Sequence, residues 1–227
     1  MKASCGSVSR ARPLLGTLVE IRVPADGETQ RAIQRAFAAI ERVHRAMSAQ
    51  ESTSDIARLR AGRRFVLDPW TRRVLQRAEE IRLATDGLFD CAACDYALDG
   101  IAKGFAVDRA VEALQLAGVR AGAVNAGGDL RVFGEAFEDL YVRPPQCPDR
   151  LVHIGRVRDA AVATSGAALL VDPRRVPRAP RAAGVTVVAA DCMTADALTK
   201  PCLLDPEHAQ QLAARFCAHA FVLGADG

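Results

Sequence analysis

Apolar and polar residues alternate through LLGTLVEIRV (residues 14–23), which predicts a strand, and the PADGE that follows supplies a turn. The period then changes from two to between three and four. In TQRAIQRAFAAIERVHRAMS, Ile33, Phe37, Ile40, Val43 and Met47 recur at helical spacing and predict a helix with one apolar stripe. His44 lies beside that stripe and reads as a surface histidine. SAQESTSD offers Ser and Thr caps for a short helix, IARLRAG, ended by Gly62. RRFVLDP predicts another strand, and Asp68 caps the helix WTRRVLQRAEEIRLATDG, with Pro69 at its first position and Gly87 past its end.

Further along, Phe105, Val107, Ala110, Val111 and Leu114 give residues 105–117 an apolar face, so IAKG reads as the start of that helix. AGAVNAGG predicts a buried strand running into a glycine turn, RVFG the returning strand, and AFEDLYVRP and LVHIGRV two more. GVTVVAAD has the strongest strand pattern. MTADALTK begins another helix, with Thr194 and Asp196 offering caps; residues 206–218 predict a late helix and AFVLGADG a last strand. Strands and helices are mixed without a steady βαβ rhythm. The expected class is therefore α+β, with a mixed, largely antiparallel sheet and packed helices in a single domain over residues 1–227, single-domain or two-lobed in shape. Residues 1–12 are expected to be a disordered N-terminus.

Composition narrows the picture without naming a function. Half of the 227 residues are hydrophobic, enough for a substantial core. Thirty basic and 27 acidic residues leave a net charge of +3, and the cluster RRVPRAPR reads as a solvated loop rather than a nucleic-acid site. Seven cysteines are an odd number without a disulfide spacing, which fits a reducing compartment; Cys91 and Cys94 lack the further ligands of a structural zinc site and read as incidental thiols. The N-terminus has no apolar segment of signal-peptide length, and no window nears the roughly 18 apolar residues of a membrane span. The expected location is cytoplasmic for the chain as given, or extracytoplasmic if a leader is missing.

Candidate chemistry gathers in ALDGIAKGFAVD and AVNAGGDLRVFG, which bring an acid, a lysine and two glycine clusters within about forty residues. A helix start with free N–H groups, a glycine and the Lys103 ammonium suits a phosphate; a capped helix start with a surface lysine is the other reading. NAGGD places an amide, two flexible backbone positions and a carboxylate in one turn, equally consistent with a hairpin in which Asn125 and Asp129 bond locally. ATSGAA is a third element. TADALTK is a fourth, where Asp196 could bind a cation through oxygen.

Taken in order, LLGTLVEI, MSAQESTSDIARL, ATDGLFD, LDGIAKGFAVDRA, VNAGGDLRVFG, VATSGA, DPR, GVTVVAADCMTADAL and FVLG resemble the FAD:protein FMN transferase, or ApbE, family over nearly the whole chain. That resemblance implies a magnesium-dependent transferase that binds FAD and moves its FMN half onto a threonine or serine hydroxyl of an acceptor flavoprotein, releasing AMP. It also makes a homodimer unsurprising. By resemblance, Lys103, Gly104, Asn125, Gly127, Gly128, Asp129, Thr164, Ser165, Gly166 and Leu170 belong to the flavin-nucleotide site. The resemblance likewise implies that the Gly100 backbone oxygen and Asp196 hold the metal and that Asp196 and Lys200 stand at catalytic positions.

The departures from the family pattern matter as much. An aspartate six positions before the lysine of AKG is Ala97 here, with Asp99 two residues on. The histidine of the HxxDP element is Leu169, although Asp172 and Pro173 are kept. The metal-binding threonine four residues after Asp196 is Lys200, whose ammonium cannot coordinate a cation but could neutralise phosphate itself. Leu15 replaces a methionine, and a segment of some tens of residues between Asp90 and Ala97 is nearly absent. Two alternatives to a working transferase therefore stand: a non-catalytic flavin-nucleotide binder, and a protein that keeps only the fold.

Overall fold

The first strand already departs from the sequence pattern. In the computed structural model, which describes residues 6–142, 151–166, 172–174 and 182–224, the alternating segment is split into β1 (Ser7–Leu14) and β2 (Thr17–Pro24). Leu15 and Gly16, at φ 56° and 71°, form a two-residue turn whose left-handed backbone conformation matches the right-handed twist of a hairpin's strands. The expectation of a disordered segment through residue 12 is thus corrected from Ser7 onward, because β1 pairs with β2 along its whole length.

Seven strands form one sheet in the order β1-β2-β3-β4-β7-β8-β9, with every neighbouring pair antiparallel. Its other members are β3 (Gly122–Ala126), β4 (Asp129–Phe133), β7 (Ala161–Gly166), β8 (Ala182–Ala189) and β9 (His219–Gly224). A separate hairpin joins β5 (Phe137–Val142) to β6 (Val152–Arg158). The six helices among the described residues are α1 (Thr29–Met47), α2 (Asp55–Arg60), α3 (Pro69–Ala84), α4 (Ala102–Leu116), α5 (Cys192–Leu204) and α6 (Ala209–Ala214). This is the α+β class with a large antiparallel sheet that the element pattern predicts.

Strand alternation assigns the two faces of the sheet. Val19, Ile21, Val124, Phe133, Ala163, Val185 and Val187 point into the main core, against α1, α4 and α5. Leu130, Val132 and Val162 point the other way, into a smaller core closed by Val157 of the β5–β6 hairpin. Helices α4 and α5 are buried almost all round, so each carries apolar residues on most faces instead of one stripe. Burying a side chain such as Phe105 is worth about 1.5–3 kcal/mol, and α4 does so at several successive positions. Among the described residues no helix is long and apolar enough to cross a membrane.

Three local expectations change. RRFVLDP is not a strand: with Val66 86% exposed and no neighbour pairing with it, β-branched residues alone do not make a ladder. The late helix is shorter than residues 206–218, being a 3-10 turn at Pro206–His208 followed by α6 and an exit through Cys217 at φ 54°. Helix α5 begins before MTADALTK, capped by Asp191, whose carboxylate accepts the Thr194 N–H at 2.8 Å; Thr194 and Asp196 lie inside the helix.

Candidate functional site

Helices α4 and α5 meet at their first turns, and a glycine sets how closely. A Cβ built on Gly104 would stand 2.2 Å from the Cys192 carbonyl oxygen and 2.9 Å from Asp196 Cβ, so only glycine admits this approach. The contact is bonded as well as close: the Gly104 N–H donates to Asp196 Oδ2 at 3.1 Å. Because α4 starts at Ala102 and not after Gly104, Lys103 is carried in its first turn.

Two ammonium groups and two carboxylates then face one another. Lys103 Nζ lies 3.0 Å from Asp129 Oδ2, where Asp129 opens β4 with its side chain on the helix face of the sheet. The carboxylate is buried while the lysine side chain stays partly exposed. Lys200 Nζ lies 2.6 Å from Asp196 Oδ1, one helical turn earlier on α5, and also donates to the Asp196 backbone oxygen at 3.1 Å and to Ser165 Oγ at 3.3 Å. Ser165 is further held by Thr199 Oγ1 at 2.8 Å.

Electrostatics follow from burial and from the short spacing of the charges. Burial, reinforced by the nearby Asp196 charge, raises Asp129 to about 7 despite the opposing pull of Lys103 and Lys200. Burial pulls the Lys103 ammonium down, but the Asp129 and Asp196 charges outweigh it and leave its pKa above the ordinary lysine value. The folded chain therefore keeps the Asp129 proton up to about pH 7, whereas an ordinary aspartate carboxyl loses it near 3.8. Folding binds a proton across that window, so this group's stabilising contribution is greatest below pH 3.8, falls as pH rises and is flat above about 7. The melting temperature of Asp129→Asn, measured against the parent from pH 5 to pH 8, is expected to rise relative to it. The opposite trend would mean that Lys103 holds the carboxyl low.

A third buried carboxylate supports this corner. Asp108 lies one turn after Gly104 on the same face of α4, accepts the Cys192 and Met193 N–H groups at 2.9 Å each, and pairs with Arg131 at 2.6 Å. Burial pushes its carboxyl above its ordinary value, with Arg131 and the two N–H groups opposing. Asp108 and Arg131 were not singled out in the sequence; the signal available was the spacing of four between Gly104 and Asp108.

Two cavities flank the end of β7, both of a size usual for small-molecule sites. One, of about 660 Å³, is walled by Phe89, Ala97, Gly100, Ser165, Gly166 and Lys200, with Asp90, Asp99 and Asp172 also on its lining. The other, of about 700 Å³, lies between the sheet and the β5–β6 hairpin and is lined by Asn125, Gly127, Gly128, Thr164, Ser165 and Gly166 among others. Alternation puts Ser165 on the helix face and Thr164 on the hairpin face, where its hydroxyl pairs with Thr186 at 2.9 Å. Ser165 and Gly166 border both cavities.

The expected site residues thus divide by position. Gly100, Lys103, Gly104, Asp129, Ser165, Asp196 and Lys200 form one contiguous cluster, of which Gly100, Ser165 and Lys200 line the two cavities. Asn125 accepts the Gly128 N–H at 3.0 Å, the local turn bond that is one of its two sequence readings. Gly127, at φ 61°, packs where a Cβ would meet Thr17 Oγ1 at 2.3 Å. Leu169 and Leu170 lie outside the described residues, as does RRVPRAPR beyond Arg174. Burial raises the Cys91 thiol to about 12, so it is protonated at neutral pH.

Gly100 and Asp196, the positions expected to hold magnesium, do not fit a divalent cation in this arrangement. Both Asp196 carboxylate oxygens are engaged, one by the Lys200 ammonium and one by the Gly104 N–H, and the Asp196 carbonyl also receives Lys200. Gly100 lies under the same side chain, since a Cβ there would be 2.7 Å from Lys200 Cε. Magnesium needs near-octahedral oxygen ligands at about 2.0–2.1 Å, and an ammonium in their midst repels it. Among the described residues, no group of three or more His, Cys, Asp or Glu side chains is placed to hold a metal.

The ApbE family model matches residues 15–97 and 93–222, two stretches that overlap at residues 93–97. A comparison with curated proteins returns no match. Among solved structures, the chain is similar to the flavin transferase ApbE of Vibrio cholerae, at 20% identity and a TM-score of 0.83, covering 96% of this chain and 93% of that one. The apo flavinyl transferase ApbE of Pseudomonas stutzeri gives 19% identity and a TM-score of 0.84, covering 98% and 92%. The apbe protein of Thermotoga maritima gives 19% and 0.82, covering 98% and 96%. At these identities the structural likeness establishes the fold.

Proposed function

The chain belongs to the ApbE family, and on that premise we propose that it is a flavin transferase that takes FAD, transfers the FMN half to a threonine or serine hydroxyl of an acceptor flavoprotein, and releases AMP. The observation that carries this reading is Lys200, seated on buried Asp196 and opening with Ser165 onto the 660 Å³ cavity. An ammonium there faces an incoming diphosphate, and Ser165 and Gly166 connect to the second cavity, an arrangement suited to a ligand with two large ends.

In the transfer, the acceptor oxygen forms a bond to the phosphorus of the FMN half while the bridging P–O bond breaks. The electron pair of that bond leaves with AMP. Such reactions depend chiefly on positioning and on neutralising charge as the leaving group departs, which is the work assigned to Lys200 with Lys103 behind it. The acceptor hydroxyl proton passes to a carboxylate of the cavity wall or to water; Asp90, Asp99 and Asp172 line that wall. The residues around Asp196 do not fit the magnesium that the family resemblance implies, because Lys200 and the Gly104 N–H occupy its oxygens.

A binding-only role is the second reading, favoured by the methyl group of Ala97 on the cavity wall where the family pattern has a carboxylate. One experiment separates the two. The purified chain is incubated with FAD, and bound flavin and free AMP are measured on the same sample, water standing in slowly for the acceptor hydroxyl. The expected result is flavin binding with AMP appearing over time. Binding without AMP moves the chain to the second reading, and no binding removes the flavin reading.

A further inference from the structure

Lys200 is seated as a bound cation would be. Its Nζ has three oxygen partners, the Asp196 carboxylate at 2.6 Å, the Asp196 carbonyl at 3.1 Å and Ser165 Oγ at 3.3 Å, matching the three donors of an ammonium. The seat is built from three elements: α5 supplies Asp196, β7 supplies Ser165, and Gly100 leaves out the side chain that would collide with Lys200 Cε at 2.7 Å and Cδ at 3.3 Å. A surface lysine has no need of such a set. This one points at the cavity wall with its tightest contact on the buried side and its longest, to Ser165, at a residue of the cavity lining.

Charge balance gives the arrangement a purpose. The Asp196 carboxylate is buried beside the site, and left uncompensated its charge would repel a diphosphate. Lys200 offsets it, and a phosphate oxygen can displace the 3.3 Å Ser165 contact while the ammonium stays anchored on Asp196.

Resting on the flavin reading above, we propose that the Lys200 ammonium is a tethered cation that takes the place of a dissociable divalent metal, so that this chain binds the diphosphate of FAD without magnesium. The tether removes the need to recruit an ion from solution. It also sets the charge at one unit instead of two, which a second ammonium on Lys103 helps to make up.

The test is FAD binding by isothermal titration in excess EDTA and again in magnesium. For the unaltered chain the two affinities are expected to agree within about twofold, since a tethered charge needs no free ion. Lys200→Met should weaken binding by about 10- to 100-fold, the usual range for a lost charge-assisted hydrogen bond, and magnesium should not restore it. Lys200→Thr should be equally weak in EDTA and recover in magnesium, because the hydroxyl and the freed Asp196 form an oxygen site. A melting curve for each variant checks that it folds. Should either variant fail to fold, the comparison on the unaltered chain still decides: binding that appears only with magnesium overturns the inference and leaves the flavin reading standing. Absence of binding in both conditions overturns the flavin reading, and the inference with it.

Discussion

Gly104→Ala is expected to lower the melting temperature by roughly 4–8 °C and to abolish tight FAD binding along with it. Two effects oppose each other. Alanine favours a helix over glycine by about 1 kcal/mol. Against that, the new Cβ would stand 2.2 Å from the Cys192 carbonyl oxygen, and backbone cannot swing aside as the tip of a side chain can. Moving α4 off α5 costs about 3 kcal/mol on the scale of overpacked cores, so the clash wins by about 2 kcal/mol. The shift also stretches the Gly104 N–H bond to Asp196, which unseats Lys200. A melting temperature equal to or above the parent's, measured by calorimetry, would show that the helix spacing is not set at Gly104.

Removing the Asp108 carboxylate is expected to cost more. Asp108→Ala leaves the Cys192 and Met193 N–H groups without their acceptor and leaves Arg131 without its partner. Breaking a buried pair from one side costs about 3–5 kcal/mol, and since the Arg131 side chain is 25% exposed and can turn to water, the lower end applies. Arg131→Met should be milder, because a carboxyl already raised by burial takes up a proton and still accepts the two N–H bonds. Denaturation midpoints of the two single variants and of the double variant form a cycle. The double variant is expected to lose less than the sum of the singles; strict additivity would mean that Arg131 and Asp108 do not support α5 together.

Much of this architecture was legible in the residues. Helix α1 is where Ile33, Phe37, Ile40, Val43 and Met47 predict it, Asp68 caps α3 through the Trp70 N–H, and NAGGD is the turn between β3 and β4. These features depend on neighbours a few positions away, so a single sequence displays them. The misreadings share the opposite property. RRFVLDP has strand composition but no partner, and LLGTLVEIRV reads as one strand because Leu15 at positive φ gives no compositional warning.

The site divides along the same line. Motif order alone singled out Lys103, Asp129, Asp196 and Lys200 as residues of one site and placed the chain beside a family; it also exposed Ala97 and Lys200 as departures from the family's pattern. Which charge pairs with which was decided only in the folded chain: Lys103 with Asp129 from another element, Lys200 with Asp196 on its own helix, and Asp108 with a helix end 84 residues away. Periodicity and turn chemistry act over a few residues and are written locally. The approach of α4 to α5, set by Gly104 against Cys192 and Asp196, and the alternation that turns Ser165 toward Lys200 are products of packing, and packing determines whether a lysine lies on the surface or occupies the seat of a cation.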